Sequence, residues 1–259
     1  MRLSLRFVPL LFLYALEAAA AEPREAALAG TRYLVMETGG AAAGADLPMI
    51  VGFHYSSAKP EAMLEYFDGI DFPARIVLPQ GGYPRRDGYS WLPTDYAELA
   101  QAKQDEAVFA EEKKLAAFVD GVRKQYPTRG KPAVMGISYG GDMSFLLAIR
   151  HPASIGASYP IAARFLPTWM PSANTCKPAC PPIRAMHGAA DTTVPMAPTQ
   201  AAVAKLKKLG YDVDLTPYAG VPHDFDARME RDFTEQARKL LGRRAGLGPP
   251  SPSLRFDER

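Results

Sequence analysis

Ser138 stands in Gly136-Ile137-Ser138-Tyr139-Gly140, one serine with a glycine two residues away on either side. That spacing is the pattern of a nucleophile elbow, where a sharp strand-to-helix turn holds a hydroxyl out toward solvent. Small neighbours keep the turn free of clashes, and the N-terminus of the following helix favours negative charge developing beside the hydroxyl. The flanks fit, because "KPAV" reads as strand before the serine and "DMSFLLAIR" as helix after it. The chemistry this would support is nucleophilic attack on an acyl carbon.

Such a serine needs a base, and the chain has four histidines. His54 ends an early strand, His151 closes the helix after the serine, and His187 in "MHG" is placed to shape its own turn. His223, in "GVPHDF", lies between the last apolar strand and the last helix, at a strand's carboxyl end, where ligand chemistry collects in open α/β sheets. His223 is the candidate base. The acid belongs between the two in the chain, and Asp191 in "MHGAADTTVP" follows its strand closely. Asp142 reads as a helix-start charge, and Asp224 and Asp226 sit too near His223 in sequence to face its ring. The order serine, acid, base is the one used on a strand-elbow-helix scaffold.

The elements that must position these residues are legible as alternation. Apolar runs bounded by turn residues recur as "RYLVMET", "PMIVGFH", "ARIVLPQ", "PAVMGIS", "GASYPIAA", "PIRAMHG" and "DVDLTPYA". Several are apolar throughout, as strands covered on both faces are. Helical periodicity marks 103–126, where Val108, Leu115, Phe118, Val119 and Val122 share one face, and also 141–152, 199–210 and 224–242. Gly210 is a natural stop for the third of these. The expected fold is therefore α/β, a single domain with a mostly parallel sheet of about seven strands flanked by helices. The stretch between Ser138 and Asp191 leaves no room for a large lid domain.

With these blocks in place the chain resembles the α/β-hydrolase superfamily, and within it the phospholipase/carboxylesterase group of small serine esterases, which includes acyl-protein thioesterases. "GISYGG", "HGAADTTVP" and "GVPHDF" match that group's three catalytic blocks, and the resemblance spans roughly residues 32–241. It implies hydrolysis of a carboxylic ester through an acyl-enzyme, with Ser138 as nucleophile, His223 as base and Asp191 as acid, and with no cofactor or metal required. One block departs from the family. Its usual His-Gly pair is here His54-Tyr55, in "FHYSSAK". The oxyanion donors are then the backbone N–H of Tyr139 with either the N–H of Ser56 or the hydroxyl of Tyr55, and Tyr55 packing at the pocket edge is the remaining alternative.

The loop "PQGGYPRRDGYSWLPTDY" (79–96) is long and rich in glycine and aromatics. Tyr83, Tyr89 and Trp91 are its candidate substrate contacts, or else they pack the loop on the sheet. A cationic start, an apolar run of ten and small residues near Ala21 lay out a secretory signal peptide over residues 1–21, too short to cross a bilayer. The domain is then 22–242, and 243–259, rich in Gly, Pro and Ser, reads as a disordered tail. An exported protein, periplasmic or secreted, with two close cysteines implies a disulfide between Cys176 and Cys180.

A net charge of +2 with scattered lysines and arginines argues against nucleic acid as a partner. The expected partner is a small-molecule ester, with no stable membrane association after signal cleavage, and the sequence leaves the oligomeric state open. Two other functions stay open: a prolyl-oligopeptidase-like serine peptidase, and a non-catalytic binding protein on the same fold.

Overall fold

A computed structural model of the chain describes residues 22–242. The expected signal peptide and C-terminal tail lie outside the described residues. All seven apolar runs are strands: β2 (Thr31–Glu37), β3 (Met49–Phe53), β4 (Arg75–Pro79), β7 (Ala133–Ile137), β8 (Ala157–Ile161), β9 (Ile183–Gly188) and β10 (Val213–Tyr218). They join an eighth strand, β1 (Arg24–Leu28), in one sheet of order β1-β2-β4-β3-β7-β8-β9-β10. β1 pairs antiparallel with β2 and β2 with β4, and the remaining pairs are parallel. A separate hairpin, β5 (Tyr83–Arg85) and β6 (Gly88–Ser90), rises from the 79–96 loop. The eighth strand was missed because "REAAL" at the sheet edge is mostly exposed and carries no apolar run.

Strand side chains alternate between two cores, as the pleat requires. Met49, Val51, Phe53 and Val134 face the layer built by α1 (Gln101–Gln125), α2 (Tyr139–Arg150) and α3 (Met196–Leu209). Ile50, Ile76, Leu78 and Met135 face the other side, covered by a 3₁₀ helix (Pro60–Phe67) and by α4 (Ala227–Ala237) with the π turn after it. The face of α1 expected from periodicity is the buried one. Gly210 closes α3 with φ of 88°. β3, β4, β7 and β8 are buried throughout. Such two-sided burial is why these strands read as continuous apolar runs rather than as alternation. Cys176 and Cys180 are joined as a disulfide.

Candidate active site

Ser138 closes β7 at φ 56° and ψ −120°, a left-handed conformation that a residue with a Cβ adopts only under strain. The turn is tight enough to require both flanking glycines. A Cβ on Gly136 would come within 2.1 Å of the Gly140 carbonyl oxygen, and one on Gly140 within 2.3 Å of that of Phe53. The serine N–H donates to the Ile161 carbonyl at 2.9 Å, which ties the elbow to the end of β8.

Asp191 lies three residues past β9 in an Asx turn. Its Oδ1 accepts from the N–H groups of Thr193 (2.9 Å) and Val194 (2.8 Å). Its Oδ2 accepts from Nδ1 of His223 at 2.7 Å. The loops that carry the two are laced together, with Ala189 donating to Tyr218 and Ala190 to Val221. With Nδ1 as donor, Nε2 of His223 is the unprotonated nitrogen, and His223 and Ser138 line one cleft of about 580 Å³. Ser138 and His223 thus share one space, with Asp191 behind it, bonded to His223. His187 was expected to shape its turn, and its Nε2 donates to the Val194 carbonyl at 2.8 Å. That nitrogen also lies 3.2 Å from the Asp191 carboxylate, a contact the sequence did not suggest. Asp226 caps α4, and Asp224 lines the cleft.

Tyr55, Ser56 and Tyr139 all border the cleft. Among the described residues the N–H groups of Ser56 and Tyr139 pair with no protein acceptor, so both are free to face an oxyanion. The segment carrying Tyr55 is fixed by His54, which is fully buried. Its Nδ1 donates to the Tyr55 carbonyl (2.8 Å), its Nε2 accepts from Gly81 N–H (2.9 Å), and its ring lies 4.7 Å from that of Trp91. Burial pushes the His54 imidazole down to about 4, so it is neutral in ordinary buffers.

The long loop contributes to the cleft through other residues than expected. Trp91 is buried in the core, its indole N–H donating to the His54 carbonyl at 2.7 Å. Tyr89 pairs through its backbone with Ser57 and Ala58, and Tyr83 faces Lys114 of α1. None of the three lines the cleft of Ser138, whereas Arg85 and Arg86 do. The hairpin explains the exchange. Its β6 strand docks on residues 57–58, which carries the turn to the cleft and leaves the tyrosines outside it. Arg86, at φ 51°, is the strained first central residue of the two-residue turn Arg86-Asp87, a position where such hairpins ordinarily favour glycine. A third arginine, Arg164 after β8, also lines the cleft, its guanidinium paired with the buried Asp142 carboxylate. No group of three or more His, Cys, Asp or Glu able to hold a metal occurs among the described residues.

Known proteins agree with this geometry at the level of family. The dienelactone hydrolase family matches residues 90–245. The chain belongs to the dienelactone hydrolase family. It is accordingly a hydrolase of the carboxylesterase type. No curated protein matches the chain. Among solved structures it is similar to esterase PE8, at 20% identity and a TM-score of 0.70 over 80% of this chain and 97% of that one. A carboxylesterase from Mesorhizobium loti is 19% identical, with a TM-score of 0.62 over 82% of this chain and 97% of the other. Arabidopsis thaliana SOBER1 is 17% identical, with a TM-score of 0.60 over 76% and 99% respectively. These likenesses establish the α/β-hydrolase fold.

Proposed function

We propose that the protein is an exported serine esterase that hydrolyses small esters carrying a negative charge. Ser138 is the nucleophile, His223 the general base and Asp191 the residue that orients His223. The observation that carries this reading is the Asp191–His223 hydrogen bond opening onto the same cleft as a serine held at positive φ.

In the first half-reaction Ser138 Oγ attacks the ester carbonyl and its proton passes to Nε2 of His223. Asp191 stabilises the imidazolium that forms. The tetrahedral oxyanion lies against Tyr139 N–H and a donor from the Tyr55–Ser56 segment. Collapse of the intermediate breaks the C–O bond, and the alcohol leaves with the proton from His223. Water then attacks the acyl-enzyme by the same proton route and releases the acid.

Charge selects the substrate. Arg85, Arg86 and Arg164 face the cleft against the carboxylate of Asp224. Planar guanidinium groups suit a carboxylate on the acyl or alcohol part. Export is supported by the layout of residues 1–21 and by the Cys176–Cys180 disulfide, which fits an oxidising compartment.

The test is fluorophosphonate labelling of the purified protein, with peptide mass spectrometry to find the modified residue. Label on Ser138 that vanishes in His223→Ala is the expected result. A folded wild type that stays unlabelled would overturn the reading and return the binding-protein alternative.

A further inference from the structure

We propose that Asp142 and Arg164 are a positioning pair that holds Tyr139, and with it the oxyanion-facing N–H, in the geometry the hydrolytic step needs. The inference rests on the assignment of Ser138 as nucleophile.

Asp142 sits in the first turn of α2 with its carboxylate 1% exposed. A carboxylate there would ordinarily serve the free N–H groups of its own helix. This one turns away from the helix and takes three donors from one residue. Oδ1 accepts from the backbone N–H of Arg164 at 2.6 Å, and Oδ2 from Nε at 2.9 Å and from Nη2 at 2.5 Å. Burial pushes the Asp142 carboxyl up from its ordinary value, and the guanidinium opposes that shift. A buried ion pair of this kind adds little to stability over an apolar pair of the same volume, so stability does not account for it.

What the pair touches is the elbow. The Arg164 guanidinium lies 4.7 Å over the ring of Tyr139, and the ring of Tyr96 meets the same tyrosine edge-on at 5.7 Å. Tyr139 is thereby clamped through its side chain, while among the described residues its N–H has no protein acceptor. The segment that carries Arg164 is fixed in turn. Ile161 accepts from Ser138 N–H, Ala162 N–H donates to the Met186 carbonyl at 3.0 Å, and Ala163 accepts from Thr199 Oγ1 at 2.9 Å. Arg164 therefore transmits the position of β9 and α3 to the first turn of the nucleophile helix. Only a guanidinium fork can bond Asp142 through two nitrogens and at the same time sit over the Tyr139 ring, which a lysine cannot do.

Arg164 also lines the cleft, so the experiment must separate positioning from charge recognition. Wild type, Asp142→Asn, Arg164→Lys and the double variant are assayed with a neutral acetyl ester and a succinate monoester. Rates are expressed per active site titrated by the fluorophosphonate, alongside thermal stability. Each single variant is expected to lose about 10- to 100-fold in kcat on both esters, the scale of a small displacement of a reacting group. KM for the neutral ester stays within about threefold, and the double variant loses no more than the worse single, as for residues acting as one unit.

Unchanged kcat per titrated site, even with a lower melting temperature, overturns the pair as positioning residues. So does a loss confined to KM for the succinate ester. If these variants fail to fold, Tyr139→Leu leaves the ion pair and removes the stacked ring, and an undiminished rate there overturns the proposal. An unlabelled wild type removes the nucleophile assignment and the pair with it. A labelled wild type with unimpaired variants removes the pair alone.

Discussion

The half of the cleft that follows β7, β9 and β10 and the half that follows β3 and β4 border one space with opposite construction. Ser138, Asp191 and His223 stand on short loops at strand ends, each held by contacts within a few residues or to the adjoining loop. Tyr55 and Ser56 depend on the adjacent His54, itself held by Gly81 and Trp91, and Arg85 and Arg86 depend on a hairpin docked on residues 57–58. The family match begins at residue 90, so it includes the first half and excludes the second. The residues proposed for the chemistry therefore lie inside the matched segment, and Arg85 and Arg86, proposed for charge selection, lie outside it.

If catalysis and charge selection are separable in this way, variants at Ser138, Asp191 and His223 must impair every ester and variants at Arg85 and Arg86 only the anionic ones. The largest effect is expected at Ser138→Ala, a loss on the order of 10⁶-fold in kcat for neutral and anionic esters alike. Residual turnover well above that level would break the comparison at its root. Asp191→Asn should cost about 10⁴-fold on both esters, with the fold intact by circular dichroism, because the imidazole loses the acceptor that sets its tautomer. In the second half, Arg85→Ala or Arg86→Ala should each lower kcat/KM about tenfold for a succinate monoester and leave the neutral ester unchanged, the scale of one charge-assisted contact. Equal losses on the two esters would show that the hairpin supports catalysis itself.

A further effect belongs to His54 and is read in stability rather than in turnover. Its imidazole is held near 4 when folded against about 6.5 unfolded. Between those values the unfolded chain carries the proton and the folded protein does not. Stability therefore rises with pH across that window and is lost as pH falls through it, by roughly 3 kcal/mol in all. Urea unfolding of His54→Asn at pH 4 and pH 7 should show a shallower slope than the wild type. An identical slope would free the Tyr55 segment from that histidine.

The same division governs what was legible in the sequence. The strands could be read because β3, β4, β7 and β8 are buried on both faces and β2 and β9 mostly so, while β10, half exposed, is marked by the turn residues that bound it. β1 could not, since an exposed edge strand of mixed composition carries no periodic signal. The meeting of Asp191 with His223 could be anticipated because each lies just past a readable strand. The cleft wall could not. Of the two readings open for Tyr83, Tyr89 and Trp91, the structure places none of the three in the lining of the Ser138 cleft and buries Trp91 in the core. Their aromatic bulk is used to seat the loop on the domain, and the arginines at the turn are left facing the cleft. Asp142 was legible as a charge at a helix start, and nothing local announces that its partner is Arg164, a full strand further on.

β7 occupies the middle of the sheet, and one of its neighbours, β3, enters from far back in the chain, pairing Ile50 with Ala133. Pairings between such distant segments form slowly and late. Until they form, nothing compels Ser138 into positive φ, and the first turn of α2 has no β8 loop to lean on. A partly made or partly unfolded chain therefore carries an ordinary serine. On the proposed assignment, fluorophosphonate labelling of Ser138 would report whether the whole domain is assembled.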